Sequence, residues 1–369
     1  MATCLKFTDI PRQKYQFNET NLPTVLKGLQ GKIYISHALE GGIFCNEHHD
    51  NRKDFFQYIH ESCEQANINL ADVTVLWGNS NAEELYDTWC KIKGHDKQLN
   101  FRKTYIWNAL LHTNTTDASN IYNESFENNV VLPKLCTLFS GFPKTHRVNS
   151  LNFMYENDRL DDIEWTYISP FLQGCDAGGV WKLHPGMHDY VPKSMEGIYD
   201  EVGRDSLAGH TNPGEEFFQT YRDTYFDLTT ETFYYNCTEG AMNYDWWNTI
   251  FFTEKTFRCF YNKRPFILIG NRNSLSELHK LGFKTFPHIF DESYDQLPDE
   301  KRLGSILQQV NTIDKLELHD KIFCQETKDI LEHNKEVALD YANSTNSLLH
   351  QTESGGDNLM EQTNEGRNL

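Results

Sequence analysis

Groups that suit a phosphate stand together just before the apolar run Phe266–Ile269. Thr253 fits a helix N-cap, so the first amides of the following helix would point outward at the positive end of the helix dipole. Lys255 lies in the same turn, and Arg258 follows Glu254 by one helical turn. The pattern predicts an anion site. The alternative is a surface helix on which Glu254 and Arg258 form an ordinary ion pair.

A second group of cations follows the strand-like run over residues 134–139. The run ends at Ser140, and Lys144, His146 and Arg147 come at the turn before a segment with helical apolar spacing. In an open α/β sheet, ligands bind outside the carboxyl ends of the strands, so these cations would face a crevice. Positive charge is unfavourable at a helix N-terminus, which favours a bound anion. The alternative is that His146 and Arg147 only cover the helix end.

The segment around Lys255 resembles the donor-binding signature of the fucosyltransferase-like glycosyltransferases, including phage-encoded glycosyltransferase-like proteins. The matching elements are a Thr-Glu-Lys triplet, an Arg-Pro pair, an apolar strand ending in Gly, and two later stretches: residues 253–255, 264–265, 266–270, 281–286 and 291–295. In that family the Glu of the triplet contacts the sugar or ribose of a nucleotide-sugar, and the Lys contacts its diphosphate. The resemblance gives these roles to Glu254 and Lys255, and it gives Arg147 the role of a second diphosphate contact.

Residues 226–235 alternate and are rich in Thr and aromatic side chains, which is typical of a strand. The phage-encoded relatives carry a similar Thr-Glu-Thr ahead of the Thr-Glu-Lys triplet, which implies that Glu231 approaches the donor ribose or base. Alternation alone equally allows Glu231 to point outward. The predicted donor-binding residues are Ser140, Lys144, His146, Arg147, Glu231, Thr253, Glu254, Lys255 and Arg258.

The resemblance implies a GT-B fold, in which two Rossmann-like α/β domains face a central cleft. Strand and helix patterns alternate in both halves of the chain, and this alternation favours parallel sheets. We expect an acceptor-side domain over residues 1–130, a donor-binding domain over 131–330, a C-terminal helix over 331–350 and a disordered tail over 351–369.

Several elements can be assigned from local patterns. The predicted strands of the first half are residues 32–36, 73–77 and 103–111, with a helix over 52–66 and a connecting loop over 113–129. Capping boxes, in which a Ser caps a helix and a Glu three residues later reaches back, are predicted at Ser80 with Glu83 and at Ser274 with Glu277. A further strand is predicted to begin over residues 284–286.

The chemistry of the resembling family displaces a nucleoside diphosphate with an acceptor hydroxyl, usually with inversion, and needs a general base. Glu40, after the first predicted strand, is the expected base, and His37 is the alternative. The Glu-His-His-Asp cluster at residues 47–50 invites a metal interpretation, but adjacent side chains diverge, so a solvated helix start is preferred. No metal is expected, and the nucleotide-sugar is the donor substrate rather than a cofactor.

Net charge, hydropathy and cysteine content limit the classes of partner and the compartment that we expect for this protein. The 369-residue chain carries a formal net charge of −19, which opposes binding to a nucleic-acid backbone. No apolar run reaches the length of a membrane span and the N-terminus does not resemble a signal peptide, so we expect a soluble, cytoplasmic protein, in the host cytoplasm if it is virus-encoded. Nine cysteines without a Cys-x-x-Cys pair suit reduced thiols.

The sequence therefore predicts a glycosyltransferase that moves a sugar from a nucleotide-sugar to a hydroxyl of a glycan or small acceptor, inverting and metal-independent. Two alternatives remain open. One is a non-catalytic nucleotide-sugar-binding or virion-associated protein of the same fold. The other is a glycosyltransferase that acts on modified DNA bases, which predicts salt-sensitive DNA binding.

Overall fold

The computed structural model describes residues 3–6, 22–37, 55–78, 80–104, 118–140, 145–167, 215–232, 234 and 250–353. It is an α/β protein with two parallel sheets. The chain divides into two compact units. The first comprises Met1–Ala109, Cys237–Phe251 and Tyr341–Leu369, and the second comprises Leu110–Asn236 and Phe252–Asp340.

The first unit contains a four-stranded sheet in which the strands are parallel and follow chain order. These strands are β1 (Thr3–Lys6), β2 (Ile33–His37), β3 (Val73–Trp77) and β4 (Asn100–Lys103). The helices that accompany them are α1 (Leu22–Leu26), α2 (Phe55–Ala66) and α3 (Ala82–Lys93).

Aromatic side chains form the core of the first unit. Phe55 packs edge-on against Trp77 at 5.1 Å between ring centroids, and Phe56 lies 5.1 Å from Tyr86 and 5.8 Å from Trp89. Because α2 and α3 share these contacts, they cover the same face of the sheet. This is the arrangement that right-handed crossovers between successive neighbouring strands produce.

The second unit contains a four-stranded parallel sheet in the order β6-β5-β7-β8. Its strands are β5 (Lys134–Ser140), β6 (Ile163–Tyr167), β7 (Thr224–Thr230) and β8 (Phe266–Ile269). The chain first runs outward from β5 to β6 and then builds β7 and β8 on the opposite side of β5. The sheet is thus doubly wound, with its switch point between β5 and β7, where ligands bind in folds of this kind.

The helices of the second unit lie on both faces of that sheet. They are α4 (Asn120–Asn128), α5 (Thr145–Glu156), α6 (Glu215–Asp223), α7 (Glu254–Tyr261), α8 (Ser274–Lys280), α9 (Asp299–Thr312), α10 (Lys315–Ile322) and the part of α11 (Gln325–Glu353) before residue 341. The crossover through α5 and the crossover through α7 run in opposite directions along the sheet. Right-handed connections therefore place these two helices on opposite faces. No helix within the described ranges is both long and apolar enough to cross a membrane.

A buried ion pair fixes the middle of β7. Asp227 accepts hydrogen bonds from Thr137 Oγ1 at 2.8 Å and from Arg264 Nε at 3.2 Å. The Arg264 guanidinium also donates to the carbonyl oxygen of Thr224 at 2.8 Å and lies 4.4 Å from the centre of the Tyr221 ring. Thr224 begins β7, so the Arg of the Arg-Pro pair anchors this strand from its amino end.

Several predicted elements are present where the sequence placed them. Strand β3 has the predicted bounds, and α2 lies within the predicted helix over residues 52–66. The strand-helix pair β5 and α5 and the helix-strand pair α7 and β8 are also present. Residues 110–130, assigned from the sequence to the first domain, group with the second unit. The predicted C-terminal helix is α11, and residues 354–369 lie outside the described part.

The third predicted strand, residues 103–111, shares only Lys103 with the described strand β4, which begins at Asn100. Strand β4 ends at Lys103, and residues 105–111 lie outside the described part. The side chain of Asn100 donates to the carbonyl oxygen of Ala71 at 2.8 Å and of Val73 at 3.3 Å, which fixes the start of β4 beside β3. The loop predicted over residues 113–129 contains α4.

Both predicted capping boxes are absent. The hydroxyl of Ser80 accepts a hydrogen bond from the Ile250 amide at 3.1 Å, and α3 begins after Asn81 without a side-chain cap. At α8, Asp295 takes the capping role, because its carboxylate accepts hydrogen bonds from the amides of Leu275 and Ser276. In both cases a residue distant in sequence replaces the local interaction.

The strand predicted over residues 284–286 is also wrong. The hydroxyl of Thr285 and the amide of Phe286 both donate to the carboxylate of Glu292 at 2.7 Å. A turn closed by this carboxylate therefore takes the place of a strand ladder.

Candidate functional site

The first turn of α5 is attached to the end of β7 across the switch point of the second sheet. His146 and Arg147 are both buried there. Because a carbonyl oxygen can only accept, His146 Nε2 donates to the carbonyl of Glu231 at 3.0 Å. Arg147 Nη2 donates to the carbonyls of Thr230 and Glu231 at 3.4 and 3.2 Å.

These contacts change the interpretation of the two cations. The sequence predicted that positive charge at this helix end would call for an anion. Carbonyl oxygens at the carboxyl end of β7 carry partial negative charge and already compensate His146 and Arg147. Ser140, at the end of β5, is also buried, and Lys144 lies outside the described residues.

Glu231 follows β7 directly and is buried, so the interpretation in which it points outward is wrong. Its amide donates to the carbonyl of Ile269 at 2.9 Å, which continues the pairing of β7 with β8. Its carboxylate crosses to the start of α7. Oε1 accepts from the Thr253 amide at 3.0 Å and from Thr256 Oγ1 at 2.5 Å, and Oε2 accepts from Thr253 Oγ1 at 2.7 Å and from the Thr232 amide at 3.1 Å.

Thr253 is the N-cap of α7, as the sequence predicts. Its backbone is extended, and its hydroxyl accepts a hydrogen bond from the Lys255 amide. The distance is 3.4 Å, so this bond is long. The Lys255 ammonium donates to the same hydroxyl at 3.2 Å and to a carboxylate oxygen of Glu254 at 2.7 Å. Arg258 lies one turn further along α7 and is partly buried.

Six of the predicted donor-binding residues therefore form one continuous set of contacts. They come from three chain segments: His146 and Arg147 from α5, Glu231 from the end of β7, and Thr253, Glu254 and Lys255 from the start of α7. Helices α5 and α7 lie on opposite faces of the sheet, and both begin at the carboxyl end of β7. The arrangement gathers a helix N-terminus and an ammonium group at the switch point.

Two further residues of this edge, Arg302 and Tyr234, were not identified from the sequence. Arg302, in α9, is buried and donates to the carbonyls of Gly270, Leu297 and Tyr234 at 3.2, 3.0 and 2.7 Å. Its guanidinium lies 4.4 Å from the centre of the Tyr234 ring, which also stacks on His146 at 5.3 Å. Arg302 thus braces the chain after β7 against the end of β8. Its local sequence looks like that of a surface helix, so no local signal distinguishes it.

Cys259 lies one turn after Lys255 but does not provide a nucleophile. Its thiol is buried and contacts the carboxylate of Asp227 at 3.6 Å and the carbonyl of Lys255 at 3.4 Å. Burial, together with the negative charge of Asp227, raises the pKa of the Cys259 thiol well above its ordinary value. The thiolate required for nucleophilic attack is therefore suppressed.

The remaining predicted residues belong to the first half of the chain. Glu40 and the cluster at residues 47–50 lie outside the described residues, and His37 ends β2 in the first unit. Within the described ranges, no group of three or more His, Cys, Asp or Glu side chains could hold a metal ion.

Comparison with known proteins gave no match to a family model, to a curated protein or to a solved structure. The chemistry of the site must therefore support the function.

Proposed function

We propose that this protein is a glycosyltransferase that binds a nucleotide-sugar at the carboxyl edge of its second sheet and transfers the sugar to an acceptor hydroxyl. The observation that carries the proposal is the convergence of α5, α7 and the end of β7 at the switch point of a doubly wound sheet. The resemblance of residues 253–270 to the fucosyltransferase-like signature selects a nucleotide-sugar among the anions that such an edge can bind. The proposal includes the GT-B class of fold, inversion and independence of a metal.

The N-terminal turn of α7 would stabilise the leaving nucleoside diphosphate. Charge gathers on the diphosphate in the transition state, and preorganised amides and cations stabilise it most where water is excluded. Lys255 has a side chain that is 19% exposed, so its ammonium is close to the surface and can turn from Glu254 towards a diphosphate. That movement breaks the contact of 2.7 Å between Lys255 and Glu254, and the resemblance gives Glu254 the contact with a hydroxyl of the ribose or sugar.

The reaction also needs a base that removes the proton of the acceptor hydroxyl. We assign this role to Glu40, with His37 as the alternative, as the sequence predicts. The displacement forms a bond between the acceptor oxygen and the anomeric carbon, breaks the bond to the diphosphate and delivers the acceptor proton to the base. Attack from the face opposite the leaving group inverts the anomeric carbon.

Donor binding tests the proposal directly. A ligand that binds only the folded state raises the melting temperature, so the purified protein is titrated with UDP-, GDP-, CMP- and dTDP-sugars in EDTA. We expect one nucleotide class to stabilise the protein. Lys255→Ala should lower the affinity for that nucleotide-sugar by roughly tenfold, because one charge-assisted contact is lost. Lys280→Ala is the matched control, since that lysine ends a different helix, α8, and its side chain is 71% exposed.

The results separate the proposed function from its competitors. Absence of stabilisation by every nucleotide-sugar would refute the donor site. If Lys255→Ala and Lys280→Ala lower the donor affinity equally, Lys255 is not part of the donor site. Donor binding without release of nucleoside diphosphate in the presence of acceptor glycans would support the non-catalytic alternative instead.

A further inference from the structure

The carboxylate of Glu231 has no room for a ligand. A carboxylate offers about four acceptor positions, and Glu231 receives four hydrogen bonds. Three of them come from Thr253 and Thr256 in the first turn of α7, and the fourth comes from the Thr232 amide. Direct contact with a donor ribose would require one of these bonds to break.

The Thr253 hydroxyl links the carboxylate of Glu231 to Lys255. A threonine hydroxyl has one proton, and Thr253 gives it to Glu231 Oε2 at 2.7 Å. The oxygen lone pairs of Thr253 must then face away from Glu231. They accept from the Lys255 amide at 3.4 Å and from the Lys255 ammonium at 3.2 Å.

We propose that Glu231 is a positioning residue for the anion site, which orients the Thr253 hydroxyl and through it holds the Lys255 ammonium at the N-terminus of α7. This inference rests on the proposed function, because it assumes that Lys255 binds the diphosphate. It replaces the direct contact between Glu231 and the donor ribose or base that the sequence suggested. Thr256, three residues after Thr253, donates to the same carboxylate.

The test measures the affinity for UDP, GDP, CMP and dTDP by titration calorimetry and the melting temperature of each variant. Glu231→Gln keeps the size of the side chain but places an amide group where two donors now point. We expect Glu231→Gln to lower the affinity for the nucleotide that binds the wild-type protein by roughly tenfold. The loss should be the same in Thr253→Val, whereas Thr253→Ser keeps the hydroxyl and most of the affinity. This pair of variants decides the question if Glu231→Gln does not fold.

Two comparisons separate positioning from a merely structural role. Asp295→Asn makes the equivalent change in a buried carboxylate that caps α8, so it should lower the melting temperature and leave the affinity within about twofold. In the Lys255→Ala background, Glu231→Gln should weaken binding no further, because the group through which it acts is gone.

Each result decides one of the two proposals. If the wild-type protein binds none of the nucleotides or nucleotide-sugars, the proposed function is refuted and this inference with it. If the wild-type protein binds and Glu231→Gln binds equally well, only this inference is overturned. It is also overturned if Glu231→Gln weakens binding as much in the Lys255→Ala background as in the wild type.

Discussion

Acid should destabilise the first unit through one histidine. His60, in α2, lies with Nε2 at 2.8 Å from the hydroxyl oxygen of Tyr86. That oxygen already accepts hydrogen bonds from the amides of Gln98 and Leu99, each at 3.4 Å. A neutral imidazole can accept the hydroxyl proton of Tyr86 at Nε2, whereas a protonated imidazole cannot. The ring of His95 lies 5.0 Å away and would repel a charge on His60.

The size of the effect follows from the pKa. Burial, and secondly His95, lower the pKa of His60 from 6.5 to about 4. The unfolded chain then binds a proton at a higher pH than the folded chain does. Stability is fully present above pH 6.5, is lost as the pH falls towards 4, and changes no further below that value. A shift of this size corresponds to about 3 kcal/mol of unfolding free energy between pH 7.5 and pH 4 for a fully buried group, and solvent screening of the partly exposed imidazole reduces it to roughly 1–2 kcal/mol.

Urea unfolding, followed by tryptophan fluorescence at pH 7.5, 5.5 and 4, measures the loss. Other groups titrate in this range, so the decisive quantity is the difference between the wild-type protein and His60→Gln. A glutamine carbonyl can accept the Tyr86 proton without a charge change, so His60→Gln should lose roughly 1–2 kcal/mol less than the wild type. His333→Gln, in α11, is the matched control. If His60→Gln and the wild type lose the same free energy on acidification, the pKa and the geometry behind it are wrong.

Two further predictions concern the second unit and the reaction. Arg264→Met leaves Asp227 buried without its cation, so urea unfolding should show a loss of about 3–5 kcal/mol. Asp227→Asn combined with Arg264→Met should recover part of it, and a loss below about 1 kcal/mol in the single variant would contradict a working ion pair. Glu40→Gln should lower the turnover of sugar transfer by roughly a hundredfold or more while donor affinity is unchanged. If His37→Ala loses turnover and Glu40→Gln does not, the base is His37.

The predicted elements that proved right carry their signal within a few residues. Thr253 before a charged first turn identifies the start of α7, and the four apolar residues Phe266–Ile269 identify β8. Both elements are determined by capping and by hydrophobic pattern, which are local properties. The start of α7 could therefore be located from the sequence to within one helical turn.

The predictions that failed depend on partners far along the chain. All seven residues of β7 are buried, so the alternation within residues 226–235 does not mark an exposed face of this strand. The strand is central and covered on both faces, and its one carboxylate, Asp227, is satisfied by Thr137 and Arg264 from other segments. The carboxylate of Glu231 reaches Thr253 in the same way. No local pattern shows which distant donor will meet such a group.

The burial of the cations separates their roles. His146 and Arg147 donate hydrogen bonds to carbonyl oxygens at the end of β7, and both are almost fully buried. The ammonium of Lys255 has as partners only a hydroxyl and the carboxylate of its neighbour Glu254 among the contacts described for it, and its side chain is 19% exposed. A ligand can displace a single adjacent carboxylate far more readily than it can displace strand carbonyls. We therefore propose Lys255 as the cation that binds the anion at this edge, while Arg147 holds the end of β7.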